Sequence, residues 1–103
     1  SKKLVLSCYA LTQELPADEK SNLGHYIRNA ALTAHFAISQ GVFLKKSKAK
    51  KKLLQQAKNS YVVIDAAVDV LVELNLVKEE QTSEVIELAS LLYQHTGSLP
   101  KQN

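Results

Sequence analysis

The sequence has no tryptophan and no methionine, two prolines, three glycines and a single cysteine. Each scarcity excludes something. One thiol, Cys8, rules out an intrachain disulfide and suits a reducing compartment, so a cytoplasmic protein is expected. Few glycines and prolines leave few sharp turns, and plentiful alanine, leucine, lysine and glutamate favour an all-helical fold. No apolar run approaches the roughly 18 residues needed to cross a membrane. The opening "SKKLVLSCYA" lacks a long apolar h-region and a cleavage site, so neither secretion nor membrane association is expected. Histidine is also scarce. His25, His35 and His95 form no His-x-x-x-His or Glu-x-x-His pair, so the carboxylate-histidine sets of metal-binding bundles are missing. There is no P-loop and no glycine-rich phosphate cradle. No metal, cofactor or catalytic set is expected, and the chain reads as a binding protein, not an enzyme.

The 103 residues are enough for one domain with one core, and an apolar content of 46% argues against disorder. The net charge of +3 hides a division. Residues 1–58 hold eleven Lys/Arg and three Asp/Glu, a sum of +8, whereas residues 59–103 hold two against seven, a sum of −5. A basic surface for polyanions and an acidic surface elsewhere follow from that asymmetry.

Apolar periodicity predicts four helices, at about 2–14, 19–41, 47–75 and 79–95. Leu4, Cys8, Leu11 and Leu15 give the first its buried face, with Cys8 in the core. Pro16 interrupts the ladder, and Asp18 is the expected N-cap of the second helix. Leu23, Ile27, Ala30, Ala34 and Ile38 make the second stripe, its alanines allowing close approach of a neighbour; Gly41 is a candidate C-cap, the alternative being a helix that runs through it towards Leu44. In the third helix Leu54, Ala57, Tyr61, Ile64, Val68 and Leu71 form a heptad-like seam. A further stripe, Ser60, Val63, Ala67, Val70 and Leu74, exceeds what one hairpin needs and predicts self-association. Val85, Leu88, Leu92 and His95 face inward in the fourth helix, whose acidic start suits the helix dipole. Gly97 is expected to end it and "LPKQN" to fray. Short loops between amphipathic helices predict an antiparallel four-helix bundle.

The densest chemical signal is "FLKKSKAKKKLLQQ". Six of the eight residues from Lys45 to Lys52 are lysine. The run reads either as a solvated, partly frayed helix start or as a grip on a polyanion: cations at a helix start oppose the macrodipole and repel one another, a cost that a polyanion offsets. Lys45, Lys46, Lys48, Lys50, Lys51 and Lys52, with Lys58 and Arg28, are the candidate nucleic-acid-binding residues. Lysine is a point-charge donor without interleaved aromatics here, so recognition of phosphate without sequence preference is expected. Asp65, Asp69 and Glu73, spaced four and four, form an acidic stripe that fits a protein partner or subunit interface. "RNAALTAH" puts Arg28 and His35 seven apart on one helix face and resembles the Arg-x4-6-His signature of the HEPN ribonucleases. That alternative function competes with a simpler one, an interface cation and a boundary histidine. A purely structural oligomeric interaction protein is the remaining alternative.

The segments "ELPADEKSNLGHYIRNAALTAHFAISQG" and "KKLLQQAKNSYVVIDAAVDVLVELNLVKEEQTSEVIELASLLYQHTGSL" resemble a family of small four-helix bundles. It contains the ribosomal-RNA intervening-sequence proteins and the accessory variability determinant (Avd) proteins of diversity-generating retroelements. The likeness covers most of residues 9–99 and lies in helix lengths and apolar positions. It implies a homopentameric barrel, basic surfaces that bind RNA, DNA or a hybrid, and a non-catalytic partnership with a retroelement reverse transcriptase. The chain departs from the Avd branch at Asp65 and Asp69, where arginines are usual. The resemblance therefore directs nucleic acid to the lysine run and leaves the acidic stripe for a basic partner.

Overall fold

The structure, a computed structural model, describes residues 1–98. It is all-helical, with no strand among the described residues. Helices α1 (Lys2–Gln13), α2 (Ala17–Lys20), α3 (Leu23–Gly41), α4 (Lys48–Glu73) and α5 (Ser83–Ser98) follow in order, with a 3-10 turn (Glu79–Thr82) before the last. The four long ones make an antiparallel four-helix bundle measuring 43 × 22 × 18 Å. Each packs on two neighbours: α3 meets α1 and α4, and α5 closes the square against α4 and α1.

The α3–α4 contact is the most extensive. Its basis is the alanine face of α3, where Ala30, Ala31, Ala34 and Ala37 are all buried. With no long side chains between the backbones, α4 can close on α3, and its Ala57, Ile64, Val68 and Leu71 fill the seam. Tyr61 is the largest fully buried side chain. From α1, Leu4 and Cys8 complete the core with no solvent exposure, and desolvation pushes the Cys8 thiol up to about 12. Of the surplus stripe on α4, Ser60 is buried and Ala67 half-buried, but Val63, Val70 and Leu74 stay exposed. His95, expected inward, is exposed.

The predicted helix boundaries need four corrections. The segment 19–41 is not continuous. Asp18 sits inside the one-turn α2, where its Oδ1 accepts the Glu19 N–H at 3.0 Å instead of capping the long helix. Asn22, with φ −107° and ψ −89°, breaks the helical path, and α3 starts after it. Gly41 is the last helical residue of α3, not a left-handed cap: no glycine has positive φ among the described residues. Gly97 lies inside α5, which continues to Ser98. The expected fraying of "LPKQN" concerns residues outside those described. The ends of α4 are well defined. Ser47 caps its start by accepting the Lys50 N–H at 3.3 Å. Asn75, at φ 58°, ends it in a Schellman arrangement: Leu76 N–H donates to Leu71 O at 3.0 Å and Asn75 N–H to Val72 O at 2.9 Å.

Candidate nucleic-acid interface

The lysine run is split between two elements at one end of the bundle. Lys45 and Lys46 lie in the α3–α4 loop, while Lys48, Lys50, Lys51 and Lys52 occupy the first turns of α4. All are exposed except the half-buried Lys50. The first turn of α4 holds no acidic residue to relieve them. The loop also carries Val42, Phe43 and Leu44 on the surface, and Phe43 is 87% exposed. Tyr61, by contrast, is 2% exposed, so it offers no ring to a base.

The other two predicted cations lie away from that end. Lys58 is half-buried, its Nζ 4.7 Å from the centre of the Tyr93 ring, where α4 meets α5. Arg28 sits thirteen residues before Gly41, about 20 Å along α3 at helical rise, so it belongs to a different surface. Its Nε–H donates to Thr12 Oγ1 at 2.7 Å and its guanidinium stacks over Tyr9, with Cζ 4.5 Å from the ring centre. Arg28 and His35 do not meet in one cleft. Arg28 lines an opening with Tyr9, Lys20 and His25, whereas His35 Nδ1 lies 2.7 Å from Ser1 Oγ, a hydrogen bond to the start of α1. The shared helix face placed them on one side of α3, but α1 crosses that side and takes each residue separately.

The acidic stripe is redistributed. Asp65 and Asp69 line an open groove of about 1050 Å³ between α4 and α5, and Glu73 does not. Glu79, Glu80 and Glu87 join them from the 3-10 turn and α5, over apolar Val68, Val72, Ile86 and Leu91. No Lys, Arg or His lines this groove. Like charge excludes phosphate from it, and among the described residues no three His, Cys, Asp or Glu side chains are placed to hold a metal ion together. Reading the sequence helix by helix missed the three glutamates because they come from a neighbouring element. Their acidic clustering was the available signal. Tyr9 and Thr12 were missed for the same reason, since neither looks functional until α3 packs on α1.

A basic end, an acidic groove and a small all-helical frame define the class: a four-helix bundle with segregated charge. The family model for 23S rRNA-intervening sequence proteins matches residues 1–98, and the chain belongs to that family. No curated protein and no solved structure matches it. No described helix is long and apolar enough to cross a membrane.

Proposed function

We propose that the protein is a non-catalytic accessory factor of the cytoplasm that binds nucleic acid through its lysine end and works beside a reverse transcriptase. The single observation that carries this reading is the concentration of Lys45, Lys46, Lys48, Lys50, Lys51 and Lys52 on one end of the bundle without an acidic residue in the first turn of α4. The family name, which ties its members to ribosomal RNA, supports a nucleic-acid partner. The exposed Val63, Val70 and Leu74 support self-association, with a pentamer as the form that likeness to Avd proteins suggests. The acidic α4–α5 groove supports docking of a basic protein.

The test replaces Lys48, Lys50, Lys51 and Lys52 with glutamine and measures affinity for unrelated RNA and DNA sequences across a salt series. The salt slope should fall by roughly 0.7–0.9 per lysine engaged, alike for every sequence. Thermal stability should rise, because cations leave the positive end of the α4 dipole. A variant that binds as tightly as the parent at every salt concentration removes the lysine end from the function. Light scattering on the parent checks assembly, and a monomer at micromolar concentration refutes self-association.

A further inference from the structure

The cleft around Arg28 is distinct from the lysine end and is built differently. It holds about 450 Å³, within the range of small-ligand clefts, and is lined by Tyr9, Lys20, Ser21, His25, Arg28, Asn29 and Leu32. No carboxylate is among those seven residues. The arginine that lines it is held on two sides. Thr12, fully buried, anchors the guanidinium at Nε and is itself fixed, because its hydroxyl donates to Cys8 O at 2.8 Å. Tyr9 supplies a ring for the guanidinium plane to lie on. An arginine tethered at Nε keeps its two terminal nitrogens for another acceptor, in the forked geometry that matches two phosphate oxygens. Arg28 is half-buried, which strengthens such a contact relative to a surface lysine. Around it, Lys20 adds a second cation, and Ser21, His25 and Asn29 add hydrogen-bonding side chains.

We infer that this cleft is a phosphate-monoester site, with Arg28 as the bidentate anchor and Thr12 and Tyr9 as its positioning residues. A monoester carries more charge than a backbone diester and has three oxygens to share between the fork, Lys20 and the polar side chains. The ligand is thus the terminal phosphate of a strand or of a nucleotide, and the site acts about 20 Å along α3 from the lysine end. This rests on the nucleic-acid reading only for the choice of strand as ligand; the cleft itself does not depend on the lysines.

The experiment compares one fluorescein-labelled RNA decamer carrying either a 5′-phosphate or a 5′-hydroxyl, read by fluorescence anisotropy at fixed salt. The phosphorylated form should bind about tenfold more tightly, as expected for a charge-assisted bidentate contact. Arg28→Lys should erase the difference. Thr12→Val, which keeps shape and removes the acceptor, should erase most of it, and Thr12→Ser should keep it. Replacing the four α4 lysines should weaken both RNAs equally and leave their ratio unchanged. In a second arm, inorganic phosphate and a nucleoside monophosphate are titrated against the Arg28 Nε–H resonance. A shift with both, in a protein that binds neither RNA, supports the site and refutes the nucleic-acid reading. Equal affinity for the two RNAs together with an unmoved resonance overturns the site. So does a folded Thr12→Val protein that keeps the full ratio.

Discussion

Tyr61→Phe should make the protein more stable. The Tyr61 side chain is 2% exposed, and its hydroxyl is the one buried side-chain polar atom without a hydrogen-bond partner among the described residues. Burial raises its pKa; the buried Thr96 lies close enough to temper that rise without completing a hydrogen bond. An unpaired buried hydroxyl costs about 1–3 kcal/mol of desolvation. Removing the oxygen leaves a space on the order of 10 Å³, a cavity cost of only about 0.2 kcal/mol. Because Thr96 is near, the lower end of the range applies, and the net gain should be about 1 kcal/mol. For a chain of this size that corresponds to a rise in Tm of about 4–8 °C. Urea unfolding followed by far-ultraviolet circular dichroism, at one protein concentration so that assembly does not confound the comparison, measures the difference. A double-mutant cycle with Thr96→Val should give a coupling near zero. A Tyr61→Phe protein that loses about 1 kcal/mol, the net worth of a typical hydrogen bond, together with strong coupling to Thr96, would show that the hydroxyl is paired and the reasoning wrong.

Two further outcomes follow from the core. The Cys8 thiol is raised from 9.0 to about 12 in the folded chain, so the unfolded chain deprotonates first and stability, complete below pH 9, falls as pH rises. Between pH 9 and 10 the decline should steepen towards roughly 1.4 kcal/mol per unit in urea titrations and be clearly shallower in Cys8→Ala, where Tyr61, with an ordinary value of 10.0, still contributes; equal slopes in both proteins refute it. Gly41→Ala should stabilise by about 0.5–1 kcal/mol, because the position is helical and the added methyl would meet Leu54 Cδ2 at an ordinary 3.8 Å; a loss of stability in chemical denaturation would mean that α3 and α4 need the closer approach.

The sequence made the frame legible where a period was long. The α4 seam from Leu54 to Leu71 is buried at every expected position, because six apolar residues at alternating spacings of three and four leave one consistent face. Boundaries were less legible. Asp18 is a strong N-cap residue by type, yet the chain spends it on a local turn, and the break falls at Asn22, whose dihedral angles no composition rule announces. Asn75 closes α4 because it tolerates the left-handed region, a choice glycine would have made obvious. The site was partly legible for a different reason. Runs such as Lys45 to Lys52 advertise themselves, whereas the Arg28 cleft and the α4–α5 groove are assembled across helices. Heptad spacing linked Arg28 to His35, but packing against α1 decided that Arg28 meets Thr12 and Tyr9 instead.

The placement of the lysines also bears on why α4 starts where it does. Four cations in its first turns work against the helix dipole, and helix propensity alone does not hold a start that repels itself. The structure supplies two local counterweights. Ser47 satisfies one of the free N–H groups, and Leu54, buried two turns in, ties the helix to α3 near Gly41. The α4 start is therefore anchored from below by packing and left electrostatically unfavourable at its tip. A polyanion arriving at that tip lowers the energy of the helix it touches as well as making its own contacts. Cooperation between binding and helix order at the α4 start is the physical consequence. If the lysine end binds nucleic acid as proposed, the loop from Val42 to Ser47 and the first turn of α4 should gain the most amide protection on binding, and unchanged hydrogen exchange there would refute the coupling.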